Sequence, residues 1–145
     1  MPVEDLERHL RPACEEVLET MFFTSVMDTA VKSTECGDPL IAFRLTFSGA
    51  RSGAFEVRTS ETSARSLAAG FLGEIEADVT GERAGEVVCE LANMLCGSVL
   101  SRMDAVGVFE LSHPELAERS MEAGSAVCRF QLPEGTFEVA VQLDS

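Results

Sequence analysis

The stretch GAFEVRT at residues 53–59 alternates apolar with charged or polar side chains, which is typical of a strand with one buried face. The preceding stretch LIAFRLTF at residues 40–47 also has strand character. Turn-forming residues at 48–53, SGARSG, separate the two. The two strands therefore predict a β-hairpin.

The opening of that second strand recurs near the end of the chain. GAFEV at residues 53–57 is echoed by GTFEV at residues 135–139, and a helical pattern precedes each hairpin. The repeated order predicts two helix-then-hairpin halves related by an approximate duplication, with CEE at 14–16 corresponding to VCE at 88–90. Alternatively, Gly-x-Phe-Glu-Val merely suits any strand after a turn. Either way we expect an α+β fold, a mostly antiparallel sheet with long helices packed on it.

Three segments have helical periodicity. The first carries apolar residues at helical spacing, and Pro12 is expected to kink it or to start the main helix afresh. These residues are Leu6, Leu10, Cys14, Val17, Leu18 and Met21. A short helix is expected at Glu61–Leu72, ended by Gly73, and a longer one at Glu82–Met103. A polar stretch at 31–39 ends the first helical region.

Three more strands are expected after the long helix. They are Val106–Leu111, Ala126–Leu132 and Thr136–Leu143. PEG at residues 133–135 is turn material, so the last two strands predict a second hairpin.

Composition narrows the class of protein. The 145 residues suit one domain, 1–145, and 46% hydrophobic residues suffice for a core. A net charge of −14 argues against nucleic acid and anionic membranes as partners. No apolar run approaches a membrane span, and the acidic N-terminus is not a signal peptide. Five cysteines without a C-x-x-C motif favour reduced thiols in a cytoplasmic protein over disulfides or a zinc site.

The long helix carries an unusual polar stripe opposite its apolar face. Glu82, Glu86 and Glu90 repeat every four residues, where like charges repel by about 0.2–0.5 kcal/mol per pair. Asn93, the only asparagine in the chain, and Gly97 are poor helix formers. Residues that work against local structure are candidates for function. The plainer interpretation is that the helix dipole favours the first two glutamates and that the rest is a solvated face.

The segment GEVVCELANMLCGS at residues 85–98 resembles the signature helix of the CheC/CheX/FliY chemotaxis phosphatases, and is most similar to the CheX type. In that family the helix carries Glu-x-x-Asn, here Glu90 and Asn93, with a proline further on, here Pro114. The position four residues before the glutamate is often Asp or Ser but is Glu86 in this chain. The resemblance extends over about residues 12–143. The first helix has EVLE at 16–19 and no asparagine, which predicts one site per chain.

The resemblance implies a phosphatase that hydrolyses the aspartyl phosphate on a CheY-like response-regulator receiver domain. Asn93 would hold the attacking water, and Glu90 would pair with a lysine of the receiver. Glu86, Met94, Gly97 and Pro114 are expected to contact the partner. The resemblance implies no cofactor in this chain, with Mg²⁺ on the receiver, and a homodimer.

Two other functions stay open from the sequence. One is a non-catalytic module that docks a receiver or a flagellar-switch component, which would not need Asn93. The other is a structural dimerisation domain with an exposed sheet edge. Cys89 and Cys96 are expected to be core thiols, and His113 is expected to be an ordinary loop histidine.

Overall fold

A computed structural model describes residues 3–21, 40–104, 106–117, 126–132 and 135–144. The helices are α1 (Val3–Met21), α2 (Glu61–Leu72) and α3 (Gly81–Met103). The strands are β1 (Leu40–Gly49), β2 (Gly53–Ser60), β3 (Phe109–Leu111), β4 (Glu115–Leu116), β5 (Ala126–Leu132) and β6 (Gly135–Leu143). This is the expected α+β class.

All of these strands pair antiparallel in one sheet. Its order is β3-β1-β2-β6-β5, and β4 pairs with β1 beside β3. Phe55 and Val57 of β2, like Phe137 and Val139 of β6, point into the apolar core that the helices cover. Both predicted hairpins, β1–β2 and β5–β6, are confirmed.

The predicted duplication is visible in the register of the two central strands. β2 pairs with β6 so that Val57 lies opposite Val139, and these are the last residues of the two Gly-x-Phe-Glu-Val motifs. An approximate twofold axis therefore passes between them, and it relates residues 82 positions apart. The same offset aligns identical residues of α1 and α3, namely Cys14 with Cys96, Val17 with Val99, Leu18 with Leu100, and Met21 with Met103. The expected correspondence of residues 14–16 with 88–90 is therefore wrong.

The two motif glycines are required for different local reasons. A Cβ on Gly53 would lie 2.1 Å from the carbonyl oxygen of Gln142 on the paired strand. Gly135 has a φ of +138°, and a Cβ there would lie 2.1 Å from Oγ of Ser63. The shared glycine thus reflects a close strand approach in one half and a turn conformation in the other.

Helix α1 is one continuous helix through Pro12, so the expected restart is wrong, while the expected kink stays a prediction. A proline in a helix interior costs about 3 kcal/mol. Leu10 and Leu18, on either side of it, are fully buried, and burying each such side chain contributes about 1.5–3 kcal/mol. Packing on the sheet and on α3 therefore outweighs the local preference.

Side-chain caps begin α2 and α3 where the chain leaves strand or loop. The hydroxyl of Ser60 accepts a hydrogen bond from the amide of Ser63 at 3.1 Å, and that of Thr80 accepts from the amide of Arg83 at 3.1 Å. Gly73 ends α2 in the left-handed conformation, as the sequence predicts.

The chain after α3 differs from the expected strand at residues 106–111. Only Phe109–Leu111 pairs with β1, while Val106 and Val108 are 92% and 78% exposed. The two-residue strand β4 was not predicted. The polar stretch at 31–39 and the turn residues 133 and 134 lie outside the described residues.

Helix α3 is, by length and composition alone, apolar enough to cross a membrane, contrary to the expectation from the sequence. Half of the apolar stretch of α3 is buried inside the protein. The core helix of a soluble protein meets the same criterion, and α3 packs on α1, α2 and the sheet. We therefore assign α3 to the core.

Candidate functional site

Helix α3 presents the predicted polar stripe to solvent. Glu86 and Glu90 are exposed and Asn93 is half-buried, whereas Val88, Ala92 and Leu95 are completely buried on the other side of the helix. Residues three apart on a helix have Cβ atoms about 5–6 Å apart. The carboxylate of Glu90 and the amide of Asn93 therefore emerge side by side from a rigid element.

These side chains line a groove beside α3, which we call the α3 groove, with a volume of about 970 Å³. One wall is apolar and comes from β1 and α2, and the loop that carries β4 contributes the remaining side. The lining comprises Ile41, Phe43, Glu61, Phe71, Leu72, Gly81, Glu82, Arg83, Gly85, Glu86, Val87, Cys89, Glu90, Asn93, His113 and Leu116. The structure thus brings Glu86, Glu90 and Asn93 together in one concave site.

Small residues let α3 lie close to the walls of this groove. A Cβ on Gly85 would stand 3.3 Å from the Cζ atom of Phe43 in β1. A Cβ on Gly81 would stand 2.9 Å from the Oε1 atom of Glu61 in α2. Glycine at position 85 therefore allows α3 to pack closely against Phe43, and a side chain at position 81 would displace the end of the exposed Glu61 side chain.

The α3 groove is acidic. Four glutamates, Glu61, Glu82, Glu86 and Glu90, line it together with one arginine, Arg83. Glu61 pairs with Arg65 at 2.9 Å, and Arg83 pairs with Glu74 at 3.5 Å. Such a concentration of negative charge attracts a cationic group of a partner. Among the described residues, no group of three or more His, Cys, Asp or Glu side chains is arranged to hold a metal ion.

Cys89 lies in the α3 groove, half-buried, rather than in the core as expected. Its Sγ atom is 3.9 Å from the carbonyl oxygen of Pro114. Burial raises the pKa of this thiol, and the charges of Glu90 and Glu86 raise it further. The thiol therefore stays protonated near neutral pH and is a poor nucleophile. Cys96 is a core thiol as expected, and burial raises its pKa to about 12.

Three other predicted contact residues lie near this site in different settings. Gly97 is half-buried, and a Cβ there would meet nothing within 4 Å, so the surface one turn beyond Asn93 is open. Met94 is half-buried and packs against the core. Pro114 is buried, so it shapes the loop behind Cys89 and presents little side-chain surface.

The sequence analysis missed the apolar wall, and it named His113 only as an ordinary loop histidine. His113 is exposed and lines the groove beside the α3 stripe. Phe43 and Phe71 lie 28 residues apart and reach one wall only because α2 packs on α3 and the central strands. No local pattern signals such a wall, whereas a histidine one residue before the predicted Pro114 was a usable signal.

The half of the chain that holds α1 does not repeat the Glu-x-x-Asn arrangement. The 82-residue offset places Arg8 at the position of Glu90 and Arg11 at the position of Asn93. EVLE at residues 16–19, the expected counterpart of Glu-x-x-Asn, lies about two turns further along α1, so that assignment is wrong. The pair of a carboxylate and an amide therefore occurs on α3 and is absent from the equivalent face of α1.

A family model described as chemotaxis phosphatase CheX matches residues 41–129 of the chain. The fold is similar to a CheX from Desulfovibrio desulfuricans, at 17% identity and a TM-score of 0.72, over 97% of this chain and 99% of that one. It is similar to a CheX from Vibrio vulnificus, at 15% identity and a TM-score of 0.74, over 99% of both chains. It is also similar to the CheX–CheY–BeF3–Mg²⁺ complex from Borrelia burgdorferi, at 16% identity and a TM-score of 0.74, over 95% of this chain and 97% of that one. No curated protein matches the chain.

Proposed function

This chain belongs to the chemotaxis phosphatase CheX family, and from that premise we propose that it hydrolyses the aspartyl phosphate of a CheY-like response-regulator receiver domain. The observation that carries the proposal is the pair Glu90 and Asn93, side by side on α3 at an acidic groove. The similar protein of Borrelia burgdorferi, solved in complex with CheY, supports a receiver domain as the partner.

Asn93 is suited to hold the attacking water. Its amide both donates and accepts hydrogen bonds and does not titrate, so it can orient a water at any physiological pH. Phosphoryl transfer depends mainly on positioning and electrostatic stabilisation, so one well-placed amide can raise the rate substantially. A helix holds that amide more rigidly than a loop would.

Glu90 is suited to fix the docking angle. Its exposed carboxylate lies one turn before Asn93 and would pair with a lysine of the receiver. Glu86, one turn further towards the start of α3, adds negative charge to the same side of the groove. Its place where the family often has Asp or Ser gives this chain a longer carboxylate there, so Glu86 is a candidate for the choice of receiver.

The remaining predicted contacts have smaller parts in the proposal. Gly97 leaves room for the receiver surface beyond Asn93. The half-buried Met94 would touch the partner only with its outer edge, and Pro114 would act by supporting the loop behind Cys89. The apolar wall at Phe43 and Phe71 would receive an apolar side chain of the partner.

The protein would need no cofactor of its own, because the phosphoryl group and its Mg²⁺ would both belong to the receiver. Its place of action would be the cytoplasm, where response regulators work. A homodimer remains a prediction, and sedimentation equilibrium of the purified chain would test it.

The test is dephosphorylation of phosphorylated receiver domains from the same genome. We expect Asn93→Ala to bind the receiver and to lose most of the acceleration, and Glu90→Ala to weaken binding as well. Gln142→Ala and Glu110→Ala, which remove an amide and a carboxylate outside the α3 groove, serve as matched controls and should retain activity. Unchanged hydrolysis by both groove variants would refute the catalytic assignment. Binding without acceleration by the wild type would establish the docking module instead.

A further inference from the structure

The β4 loop, which we define as residues 112–117, presents two exposed side chains at the α3 groove. His113 is exposed and Leu116 is 68% exposed, and both line the groove together with Asn93. A leucine so exposed keeps most of its apolar surface in water, so its burial against a partner is favourable. The proposed function assigns no role to either side chain.

The backbone of the β4 loop is fixed to β1 at both ends. The amide of Ser112 donates to the carbonyl oxygen of Thr46 at 2.8 Å, and the amide of Thr46 donates to Oγ of Ser112 at 2.8 Å. At the other end, the amide of Ala117 donates to the carbonyl oxygen of Ala42 at 2.9 Å. Side chains on a fixed backbone lose less conformational entropy on binding than those of a mobile loop. The β4 loop is therefore preorganised for contact.

The β4 loop also lies against helix α3, beside the carboxylate–amide pair. The carbonyl oxygen of Pro114 is 3.9 Å from Sγ of Cys89, which immediately precedes Glu90. Asn93 follows Cys89 by four residues and so lies about one turn further along the same helix. A protein interface is much wider than one helical turn. A receiver that brings its phosphoryl group to Asn93 therefore also meets the β4 loop.

The two sides of the α3 groove differ in charge. The glutamates all come from α2 and α3, whereas the described lining residues of β1 and the β4 loop include no carboxylate. These uncharged or apolar lining residues are Ile41, Phe43, His113 and Leu116. Glu115 of β4 belongs to the other face of the sheet, where it lies opposite Arg44. The α3 side suits the lysine of a receiver but repels its carboxylates, whereas the β4 side offers contact without that repulsion.

We propose that Leu116 and His113 bind the receiver beside its phosphoryl group and set the affinity of docking, which rests on the proposed phosphatase function. Leu116 covers an apolar side chain of the receiver at the rim of the groove. His113 donates a hydrogen bond to an oxygen of the receiver, which an imidazole can do in either protonation state. The β4 loop thus acts on binding, and Asn93 acts on the attacking water.

The test combines binding with turnover, using the full chain and receiver domains from the same genome. Binding is measured with receivers loaded with beryllofluoride and Mg²⁺, and turnover is measured with phosphorylated receivers. We expect Leu116→Thr to raise Kd and KM by about fivefold or more and to change kcat by less than about twofold. His113→Ala should raise Kd and KM by about threefold, whereas Asn93→Ala should lower kcat.

The matched control is Val108→Thr, which changes a 78% exposed valine outside the α3 groove and should change Kd by less than about twofold. Threonine is well suited to strands, so Leu116→Thr should preserve β4, and thermal unfolding checks that both variants remain as stable as the wild type. The loss of affinity in Leu116→Thr should be the same at low and high salt, because salt does not screen an apolar contact.

Several results would overturn the proposal. Binding of Leu116→Thr or His113→Ala as tight as that of the wild type would remove that residue from the contact, and an equal loss in Val108→Thr would show that the effect is not specific. A dimer in sedimentation equilibrium that Leu116→Thr dissociates would make the β4 loop a contact between copies of this chain. Receivers that bind the wild type without hydrolysis would refute the phosphatase proposal alone, and the Kd ratios would still decide the role of the β4 loop. A wild type that binds no receiver would refute both.

Discussion

Replacement of Arg58 by methionine tests the buried ionic network on the sheet face opposite the helices. Arg58 bridges two glutamates that the duplication makes equivalent, Glu56 and Glu138. The side chain of Glu56 is completely buried, and that of Glu138 is 9% exposed. Arg58→Met leaves each carboxylate with one remaining arginine, Arg44 at 2.6 Å and Arg129 at 2.6 Å.

The expected loss of stability follows from that geometry. Removing one partner of a buried ion pair costs about 3–5 kcal/mol, because the other charge stays buried without full compensation. Since both glutamates keep one partner, we expect a loss near the lower end, about 3 kcal/mol. At roughly 2–4 °C per kcal/mol for a domain of about this size, the melting temperature should fall by roughly 6–12 °C.

The matched control is Arg102→Met. Arg102 pairs with Glu16 at 2.6 Å, but the two side chains are 39% and 64% exposed. An exposed pair of this kind contributes about 0–1 kcal/mol. Urea denaturation of both variants and the wild type gives the comparison, provided that the m-values agree. If Arg58→Met loses no more stability than Arg102→Met, the buried network on the sheet does not stabilise the fold.

Three further predictions concern the α3 groove. A receiver that holds Mg²⁺ through carboxylates is expected to be acidic, and this chain carries a net charge of −14, so the two molecules should repel at long range. Their association should become faster or tighter as salt rises from low ionic strength, and steep weakening in stopped-flow or binding data would contradict this. Gly97→Ala should keep the free energy of unfolding or raise it by up to about 1 kcal/mol, because a Cβ there meets nothing within 4 Å. Gly97→Leu should lower phosphatase activity by blocking the partner. Full activity of the leucine variant would exclude contact with the partner at this position. Glu90→Gln should lower the pKa of Cys89 and speed the alkylation of its thiol near pH 8. The increase should be less than about tenfold, because burial is the larger cause of the raised pKa. Peptide mapping by mass spectrometry separates Cys89 from the other thiols, and an unchanged rate would contradict the proximity of the two side chains.

The sequence predicted those features that repeat with a short period. The alternation in GAFEVRT predicted the strand and the face that packs under the helices, and the stripe containing Glu90 and Asn93 followed from the helical period. The expectation of a single buried face is wrong, because Glu56 on the other face is also completely buried. Features set by contacts between distant segments were missed. The helical period places Cys89 at the border of the apolar face, and only the distance between α3 and the β4 loop decides that it lines a groove. Pro12 shows the same limit, because packing on both sides of it outweighs its local preference.

The duplication itself was predictable, but its register along the helices was not. The glutamates of the two helices suggested that residues 14–16 are equivalent to residues 88–90. The pairing of Val57 with Val139 instead sets an offset of 82 residues between equivalent positions. That offset puts Arg8 and Arg11, and not residues 16–19, at the positions of Glu90 and Asn93. The sequence is compatible with both alignments of α1 with α3, and only the strand register distinguishes them.

The pairing of β2 with β6 also has a consequence for how the chain reaches this structure. The hairpins join residues close in sequence, but the β2–β6 ladder joins residues between 78 and 90 positions apart. Closing so long a loop costs conformational entropy before any stabilising contact between β2 and β6 forms, and this slows folding. Until that ladder forms, each hairpin exposes an unpaired edge that can pair with another chain. The strand pair at the centre of the molecule is therefore where folding competes with aggregation.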